Sequence, residues 1–371
     1  MAASLAPIAH AQYLFTDIAD SNSAYNFFGS EPAIANTGAV SFYSQLDNGS
    51  EGIFLFSNGT VTTIAQTANG YSSIAGDTAI SNSGYVTFNA IHGPSDGLFL
   101  SNGASTTTIA QQDQNFSSVD NAPAVNGSNT VAFFANLTNG VAGIYSGNGS
   151  NTITIADSTS GRFSLFSHPS INDAGFVAFA ASQSSGAGAE VVRGNGGFLT
   201  TIADTSSSSA FSAFGGAASI NSAGGVAFSA TLKAGGRAIA FGNGISQPTI
   251  IADTNGAFSN FANEPALNDN GQIAFLAYEK GSGATGIFTG PDLITNKVIA
   301  TGDQLFGSTV DALNFFIHGE NNDGQIVFYY HLTNGVRGIA VATIPEPRTW
   351  ILLFVAATCF YPWRLRRSFS K

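Results

Sequence analysis

A block of about 47 residues recurs seven times along this chain, and no other feature constrains the fold as strongly. Its best-preserved part is an apolar-Asn-x-x-Gly-x-apolar-x-Phe pattern, as in the stretch from Ile171 to Phe179. One position is glycine in six copies and asparagine in the third: Gly38, Gly84, Asn129, Gly175, Gly224, Gly271 and Gly324. Asparagine is the residue that best replaces glycine at a positive φ, so this column predicts a turn with a left-handed backbone.

Each repeat consists of short apolar segments separated by tight turns. The block ends at a phenylalanine column: Phe42, Phe88, Phe133, Phe179, Phe228, Phe275 and Phe328. A later segment carries an isoleucine column: Ile18, Ile64, Ile109, Ile155, Ile202, Ile251 and Ile299. Such a period, with three or four strands per unit, predicts an all-β, seven-bladed β-propeller whose neighbouring blades bury the two columns. An open β-solenoid built from the same repeats is the alternative.

The phase of the repeats predicts how the ring closes. The first isoleucine segment, Phe15 to Asp20, precedes the first Asn-x-x-Gly block, whereas the last repeat ends near Val341 without such a segment. The N-terminal strand is therefore expected to complete the seventh blade. This arrangement removes an exposed sheet edge and brings both ends of the repeat body together.

The composition excludes several classes of protein. Only 9% of the residues are charged and 44% are hydrophobic, so the chain can fill a core and is not expected to be disordered. A net charge of −11 with only 12 basic residues argues against a nucleic-acid partner. The single Cys359 excludes a disulfide scaffold and a cysteine-based zinc site.

Three sequence elements follow the repeats at the C-terminus. Pro345-Glu346-Pro347 precedes an apolar run from Trp350 to Trp363, and basic residues follow it: Arg364, Arg366, Arg367 and Lys371. An apolar run followed by clustered basic residues predicts a membrane helix, here over 349–363, with its basic end in the cytoplasm. A C-terminal helix buried in the body is the alternative.

This tail resembles the PEP-CTERM sorting signal of Gram-negative bacteria through Pro345, Glu346, Pro347 and the arginine cluster. The resemblance implies export, a membrane-anchored stage, processing by an exosortase-type enzyme near the triplet, and then a cell-surface or extracellular location. At the other end, Ala9-His10-Ala11 predicts the remnant of a signal peptide over residues 1–11. The chain thus divides into that remnant, a repeat body over 12–343 and a sorting signal over 344–371.

A column of charged side chains seven residues before the glycine column is the candidate ligand-binding site. It holds Glu31, Asp77, His168 and Glu264, and His318 stands one position later in the seventh repeat. Equivalent positions form a ring in a propeller, so these side chains are predicted to converge at the mouth of the channel. Carboxylates beside a histidine can bind a ligand or act as general acid and base. A solvated loop at the start of each strand is the alternative.

No metal and no cofactor are predicted. Turns such as Asn172-Asp173 offer oxygen atoms of the kind that Ca²⁺ takes as ligands, but each turn supplies at most one carboxylate. Asx turns that cap hairpins are therefore expected, and Ca²⁺ bound by these turns is the alternative. These turns resemble those of TolB-like and Asp-box propellers, in which such turns are structural.

The combined hypothesis is an exported, cell-surface or extracellular-matrix propeller without enzymatic activity. It is expected to bind extracellular polysaccharide or another surface protein, because repeated blades favour many weak contacts whose avidity exceeds each single affinity. The alternative is a propeller glycan hydrolase or lyase that uses the acidic and histidine ring.

Overall fold

The computed structural model describes residues 13–344 apart from 76, 187 and 263. These residues form seven antiparallel sheets of four or five strands, arranged as the blades of a β-propeller. The predicted fold class is thereby confirmed. Two single 3₁₀ turns, Thr67–Asn69 and Ser158–Ser160, are the helical elements of the described part, and nothing in it is a helix long and apolar enough to cross a bilayer. The predicted signal remnant over 1–11 and the predicted membrane helix over 349–363 lie outside the described residues.

The strands follow one another blade by blade. The N-terminal strand is β1 (Leu14–Asp20). Blade 1 contains β2 (Tyr25–Phe28), β3 (Ala33–Ile34), β4 (Val40–Leu46), β5 (Glu51–Ser57) and β6 (Thr60–Gln66). Blade 2 contains β7 (Tyr71–Ile74), β8 (Ala79–Ile80), β9 (Val86–His92), β10 (Ser95–Ser101) and β11 (Thr106–Gln111). Blade 3 contains β12 (Phe116–Val119), β13 (Ala124–Val125), β14 (Val131–Leu137), β15 (Ala142–Gly147) and β16 (Thr152–Asp157).

The remaining blades repeat this order. Blade 4 contains β17 (Phe163–Phe166), β18 (Ser170–Ile171), β19 (Val177–Gln183), β20 (Ala189–Gly194) and β21 (Thr200–Asp204). Blade 5 contains β22 (Phe211–Ile220), β23 (Val226–Leu232), β24 (Arg237–Gly242) and β25 (Thr249–Asp253). Blade 6 contains β26 (Phe258–Phe261), β27 (Ala266–Leu267), β28 (Ile273–Glu279), β29 (Thr285–Phe288) and β30 (Lys297–Ala300). Blade 7 contains β31 (Gln304–Leu305), β32 (Ser308–Asn314), β33 (Ile326–Leu332) and β34 (Arg337–Thr343).

The glycine column lies at the turn after the first, innermost strand of each blade. All seven of its residues have a positive φ, and Asn129 has a φ of 61°, as the sequence predicts. In most blades the innermost strand is broken into two pieces that both pair with the second strand, as β2 and β3 pair with β4. The candidate column, with Glu31 in blade 1, lies in this break.

The isoleucine column occupies a β-bulge between the third and fourth strands of each blade. In blade 1, Ile53 pairs with Ala65 and Phe54 pairs with Thr63, so Ile64 is the extra residue of the bulge. Blade 6 departs from the predicted alignment, because Ile299 pairs with Ile287. Val298 is the bulged residue there, so assigning Ile299 to the column was wrong by one position.

The hydrophobic core lies between blades, because each sheet can bury both of its faces only against its neighbours. One cluster joins Ile53 and Ile64 of blade 1 to Val86 and Phe88 of blade 2. The residues of the phenylalanine column are almost completely buried, with at most 1% of their surface exposed. The two columns thus hold adjacent blades together, as predicted.

The ring is closed by the N-terminal strand. β1 pairs antiparallel with β34, with Leu14 opposite Thr343 and Asp20 opposite Gly338. It thereby forms the outer strand of blade 7, and its Ile18 packs with Val327 and Ile339 of that blade. The predicted closure is confirmed, and the solenoid alternative is wrong because the blades form a closed circle.

The chain direction gives the ring two distinct faces. The turns after the first and third strands of every blade lie on one face, which we call the turn face. The turns after the second and fourth strands lie on the other, which we call the funnel face. β34 is the third strand of blade 7, so the chain leaves the body at Ile344 on the turn face.

Candidate functional site

The central channel is wide at the funnel face and narrow at the turn face. The first pieces of the innermost strands expose their middle residues, such as Phe27 in β2 and Leu165 in β17. Their second pieces are buried, as Ala33 and Ile34 show. The channel is therefore a funnel, and the breaks between the two pieces form its floor.

Four of the five candidate side chains meet at this floor. Glu31, Asp77, His168 and Glu264 come from blades 1, 2, 4 and 6, and their charges act on one another. Asp120 of blade 3 joins them, with its Oδ2 atom 3.1 Å from Nε2 of His168. Nδ1 of His168 lies 3.9 Å from Oε1 of Glu264. His168 keeps 39% of its side-chain surface exposed, so the cluster is accessible from the funnel.

Glu31 and Asp77 form a carboxyl pair that shares a proton. Burial raises the pKa of Glu31 to about 9, and the hydrogen bond and charge of Asp77 and the charge of Glu264 add to this rise. Burial also raises the pKa of Asp77, although the bond from Glu31 and the charge of His168 oppose the rise. At neutral pH, Glu31 is therefore a neutral acid that donates its O–H to Asp77.

His168 is held between two acidic groups. Its hydrogen bond to Asp120 raises the pKa of the imidazole, against the opposing effect of burial, and the charges of Asp120, Glu264 and Asp77 reinforce the rise. Burial alone would raise the pKa of Asp120, but the bond and charge of His168 and the Asn121 N–H outweigh it and lower that pKa. Burial raises the pKa of Glu264, and His168 partly opposes this change. The floor thus combines ionised and neutral acids around one imidazole.

The fifth candidate, His318, lies deeper in the channel. It hydrogen-bonds to the backbone of Pro123, and because proline has no N–H, the acceptor is its carbonyl oxygen. His318 belongs to blade 7 and Pro123 to blade 3, so the side chain crosses the channel axis. The imidazole of His318 is surrounded by protein, although part of the residue remains accessible to solvent. The burial of the imidazole lowers the pKa of His318 to about 4. The imidazole of His318 is therefore uncharged at neutral pH.

A small cavity of about 150 Å³ lies at the narrow end of the channel, among the turns that follow the innermost strands. In most blades its wall is formed by the last residue of the second piece of the innermost strand, for example Ile34, Ile80 and Ile171. Blade 7 has Glu320 at this position, and its carboxyl accepts bonds from Asn268 Nδ2 and Ala274 N–H, both at 3.2 Å. Burial raises the pKa of Glu320 to about 9, so it too is neutral at neutral pH.

The turns at the narrow end are bonded from blade to blade. The N–H of Asn36 donates to Oδ1 of Asn82, that of Ser222 to Asp269, and that of Asp269 to Asn322. The N–H of Asn322 donates to Oδ1 of Asn36 at 2.9 Å and joins the last blade to the first. We call this the Asx ring. Its side-chain oxygens serve as acceptors between blades, a role beyond the expected capping of their own hairpins.

Among the described residues, no group of three or more His, Cys, Asp or Glu side chains is placed to hold a metal ion. One member of the acidic cluster, Asp120, was missed by the sequence pattern. Asp120 stands two positions before the candidate column, where other blades have residues such as Gly29, Ala75 and Phe166. A single charge in an otherwise uncharged column is the signal that could have revealed it.

Two other features lie outside the channel. A groove of about 460 Å³ between blades 4 and 5 is lined largely by small polar side chains, including Ser206, Ser208, Ser209 and Gln247. The stretch Gly93-Pro94-Ser95-Asp96-Gly97 matches the Gly-x-Ser-x-Gly pattern of a nucleophile elbow. It forms the hairpin between β9 and β10 rather than a strand-to-helix turn, so it lacks the structural context of that elbow.

The model of a family of unknown function, DUF7453, matches residues 16–247 and, in a second overlapping match, residues 154–351. The chain belongs to the DUF7453 family. Two overlapping matches are expected of a tandem repeat, since one segment can align with several others. This DUF7453 chain has no match among curated proteins.

Solved structures that match with a TM-score above 0.5 share the fold of this DUF7453 chain. Prolyl oligopeptidase B from Galerina marginata matches with a TM-score of 0.56 and 9% identity over 88% of this chain and 50% of that one. A prolyl endopeptidase structure matches with a TM-score of 0.52 and 10% identity over 87% and 51% of the two chains. The chain therefore spans about half the length of these two enzymes. The structure "YCF48 bound to D1 peptide" matches with a TM-score of 0.45 and 13% identity over 90% and 97%.

Proposed function

We propose that this protein is an exported, non-enzymatic β-propeller that binds extracellular polysaccharide at the floor of its funnel. The C-terminal sorting signal would hold it at the membrane until an exosortase-type enzyme processes the chain, after which it acts at the cell surface or in the matrix. The observation that carries the binding role is the convergence of Glu31, Asp77, Asp120, His168 and Glu264, from five blades, at an accessible floor.

The chemistry of the floor suits a polyhydroxylated ligand. Carboxylates accept hydrogen bonds from hydroxyl groups, and such charge-assisted bonds are stronger than neutral ones. The imidazole of His168 adds a donor beside these acceptors, because its Nδ1 atom lies 3.9 Å from Oε1 of Glu264, beyond hydrogen-bond distance. Sugar hydroxyls both donate and accept, so a floor with both functions matches them.

The test is retention of the full-length protein on the extracellular polysaccharide of its host, with glycan length measured in the same tube. We expect retention without shortening. Changing Glu31, Asp77 and Glu264 to the corresponding amides should weaken retention at least about tenfold, since each lost charge-assisted bond is worth about 1.5–3 kcal/mol. Asp47→Asn is the matched control, because Asp47 is exposed on the funnel face outside the floor. Equal retention by the triple variant would contradict the funnel site, and absence of any retention would favour a surface protein as the ligand.

A glycan hydrolase or lyase is the second candidate function. The observation in its favour is the proton shared by Glu31 and Asp77, because a carboxylic acid that stays neutral at neutral pH is the state a general acid requires. Shortening of the glycan that disappears in Glu31→Gln would support this function over simple binding. Intact glycan in the presence of the wild-type protein would remove it.

A further inference from the structure

Exposed apolar side chains are concentrated on one arc of the turn face. The turns after the third strands of blades 4, 5 and 6 carry Phe198, Ile245 and Ile294, whose exposed fractions are 101%, 89% and 71%. These three residues, which we call the apolar tips, are among the most exposed large hydrophobic residues of the described chain. Three successive blades thus present a large apolar side chain to solvent from the equivalent turn.

The arc continues at the seam of blade 7. There the two ends of the body take the place of a turn, and both expose an apolar residue, Leu14 at 60% and Ile344 at 39%. The equivalent turns of blades 1 to 3 are built from small and polar residues, as in Asn58-Gly59 and Asn148-Gly149. Val61 and Ile153, exposed at 38% and 52%, belong to the strands that follow the turns of blades 1 and 3. A large apolar residue within the turn itself is therefore a property of blades 4 to 6 and does not follow from the repeat.

We propose that this arc of the turn face docks on a lipid bilayer while the protein is anchored by its tail. The chain leaves the body at Ile344, within the arc, and the apolar run from Trp350 to Trp363 begins only six residues later. So short a connection keeps the arc close to any membrane that holds the run. This inference rests on the membrane-anchored stage of the proposed function.

The chemistry of the arc selects lipid hydrocarbon rather than charged headgroups. The three turns that carry the apolar tips contain no Lys or Arg, and the whole chain has a net charge of −11. Attraction to anionic lipids therefore contributes nothing, and insertion of apolar side chains at the headgroup boundary is the remaining source of affinity. Docking in this way turns the funnel face, with the acidic cluster, away from the bilayer.

The test uses the full chain with Cys359→Ser and one new cysteine, labelled with an environment-sensitive fluorophore. Phe198→Cys, Ile245→Cys and Ile294→Cys report on the arc. Ala104→Cys is the matched control, since Ala104 is exposed in the equivalent turn of blade 2, across the ring from the arc. The chains are mixed with phosphatidylcholine vesicles that contain a nitroxide-labelled lipid, and vesicle flotation is recorded for each.

We expect the three probes on the arc to be quenched by the nitroxide lipid and the probe at 104 to keep its signal, with little change at high salt. When Phe198→Asp and Ile245→Asp are combined in the chain labelled at Ile294→Cys, the protein should still float with the vesicles. The nitroxide lipid should no longer quench the fluorophore at position 294. If the protein floats with the vesicles while every fluorophore stays exposed to water, the docking surface is wrong and the membrane anchor stands. Absence of flotation would overturn the membrane anchor and this inference with it. Shielding of the probes without quenching would indicate a protein contact and would also overturn the inference.

Discussion

The imidazole of His318 in blade 7 hydrogen-bonds to the carbonyl oxygen of Pro123 in blade 3, on the opposite side of the channel. This bond links two blades that share no sheet. The link between these two blades therefore depends on one uncharged imidazole, and this gives the first prediction.

Replacing His318 should lower the stability of the ring. His318→Ala removes the donor and leaves space that water can enter, so we expect a loss of about 1–2 kcal/mol in the free energy of unfolding, measured by urea denaturation. His318→Gln keeps an amide donor and should lose less. An unchanged midpoint for His318→Ala would show that the bond across the channel contributes nothing.

The same residue predicts a loss of stability in mild acid. Its pKa is about 4 in the fold, below the ordinary value near 6.5, so between these values the unfolded chain takes up a proton that the folded chain refuses. The stability that wild type has over His318→Gln is complete above about pH 6.5 and should shrink as the pH falls toward about 4. A constant difference between the two proteins over this range would contradict a buried neutral ring.

Glu320 predicts the opposite dependence on pH. Its pKa is raised to about 9 in the fold, so its contribution to stability is complete below its ordinary pKa of about 4.5 and is lost as the pH rises toward 9. Glu320→Gln has no such group to ionise. Wild type should therefore lose stability relative to Glu320→Gln between about pH 5 and about pH 9, by at most about 1.4 kcal/mol per pH unit. Parallel denaturation midpoints for the two proteins would refute the buried neutral acid.

The N-terminal strand should be essential for a stable ring. Ile18→Asp places a charge in the apolar cluster between blades 7 and 1, and we expect a loss of at least about 3 kcal/mol in the free energy of unfolding, measured by thermal or urea denaturation. Leu14→Asp is the matched control, because Leu14 belongs to the same strand and is exposed. Removal of residues 13–20 should have a larger effect than either. An unchanged thermal midpoint after that removal would contradict closure by β1.

The Asx ring should stabilise the narrow end of the channel. Asn36→Ala removes the acceptor for the N–H of Asn322, so a loss of about 1 kcal/mol is expected in the free energy of unfolding. Ser222→Ala is the comparison at the equivalent position of blade 5, where the described bond uses only the backbone N–H. Equal effects of the two substitutions would show that the side-chain acceptors do not matter.

The sorting signal gives a prediction in the host cell. Replacing Pro345, Glu346 and Pro347 by alanine should block processing and leave a full-length species in the membrane fraction, detected by immunoblot. Thr349→Ala, next to the triplet, is the control and should be processed normally. A product of mature size from the triple variant would mean that the tail is recognised in another way.

Much of the architecture could be predicted because its determinants are local. The positive φ of Asn129 follows from one residue in one turn, and the burial of Phe42 and its equivalents follows from the period of the strands. Closure by β1 followed from the phase of the repeats. The one-residue error at Ile299 arose because Val298 and Ile299 are both apolar, and only the pairing with Ile287 distinguishes them.

The site depended on contacts that no local pattern encodes. The candidate column placed Glu31, Asp77, His168 and Glu264 on a ring, and the structure places them on the floor of a funnel rather than at its edge. Asp120 enters from a different column because its loop directs it toward His168.

The sequence by itself determined the all-β class, the seven repeats, the left-handed turns and the closing strand, since each depends on residues near one another or on a strict period. Only the tertiary structure decided which side chains meet. The reach of His318 across the axis, the partnership of Asp120 with His168 and the alignment of Phe198, Ile245 and Ile294 with Ile344 all join different blades. Distances between blades are set by the packing of the closed ring, and no spacing along the chain records them.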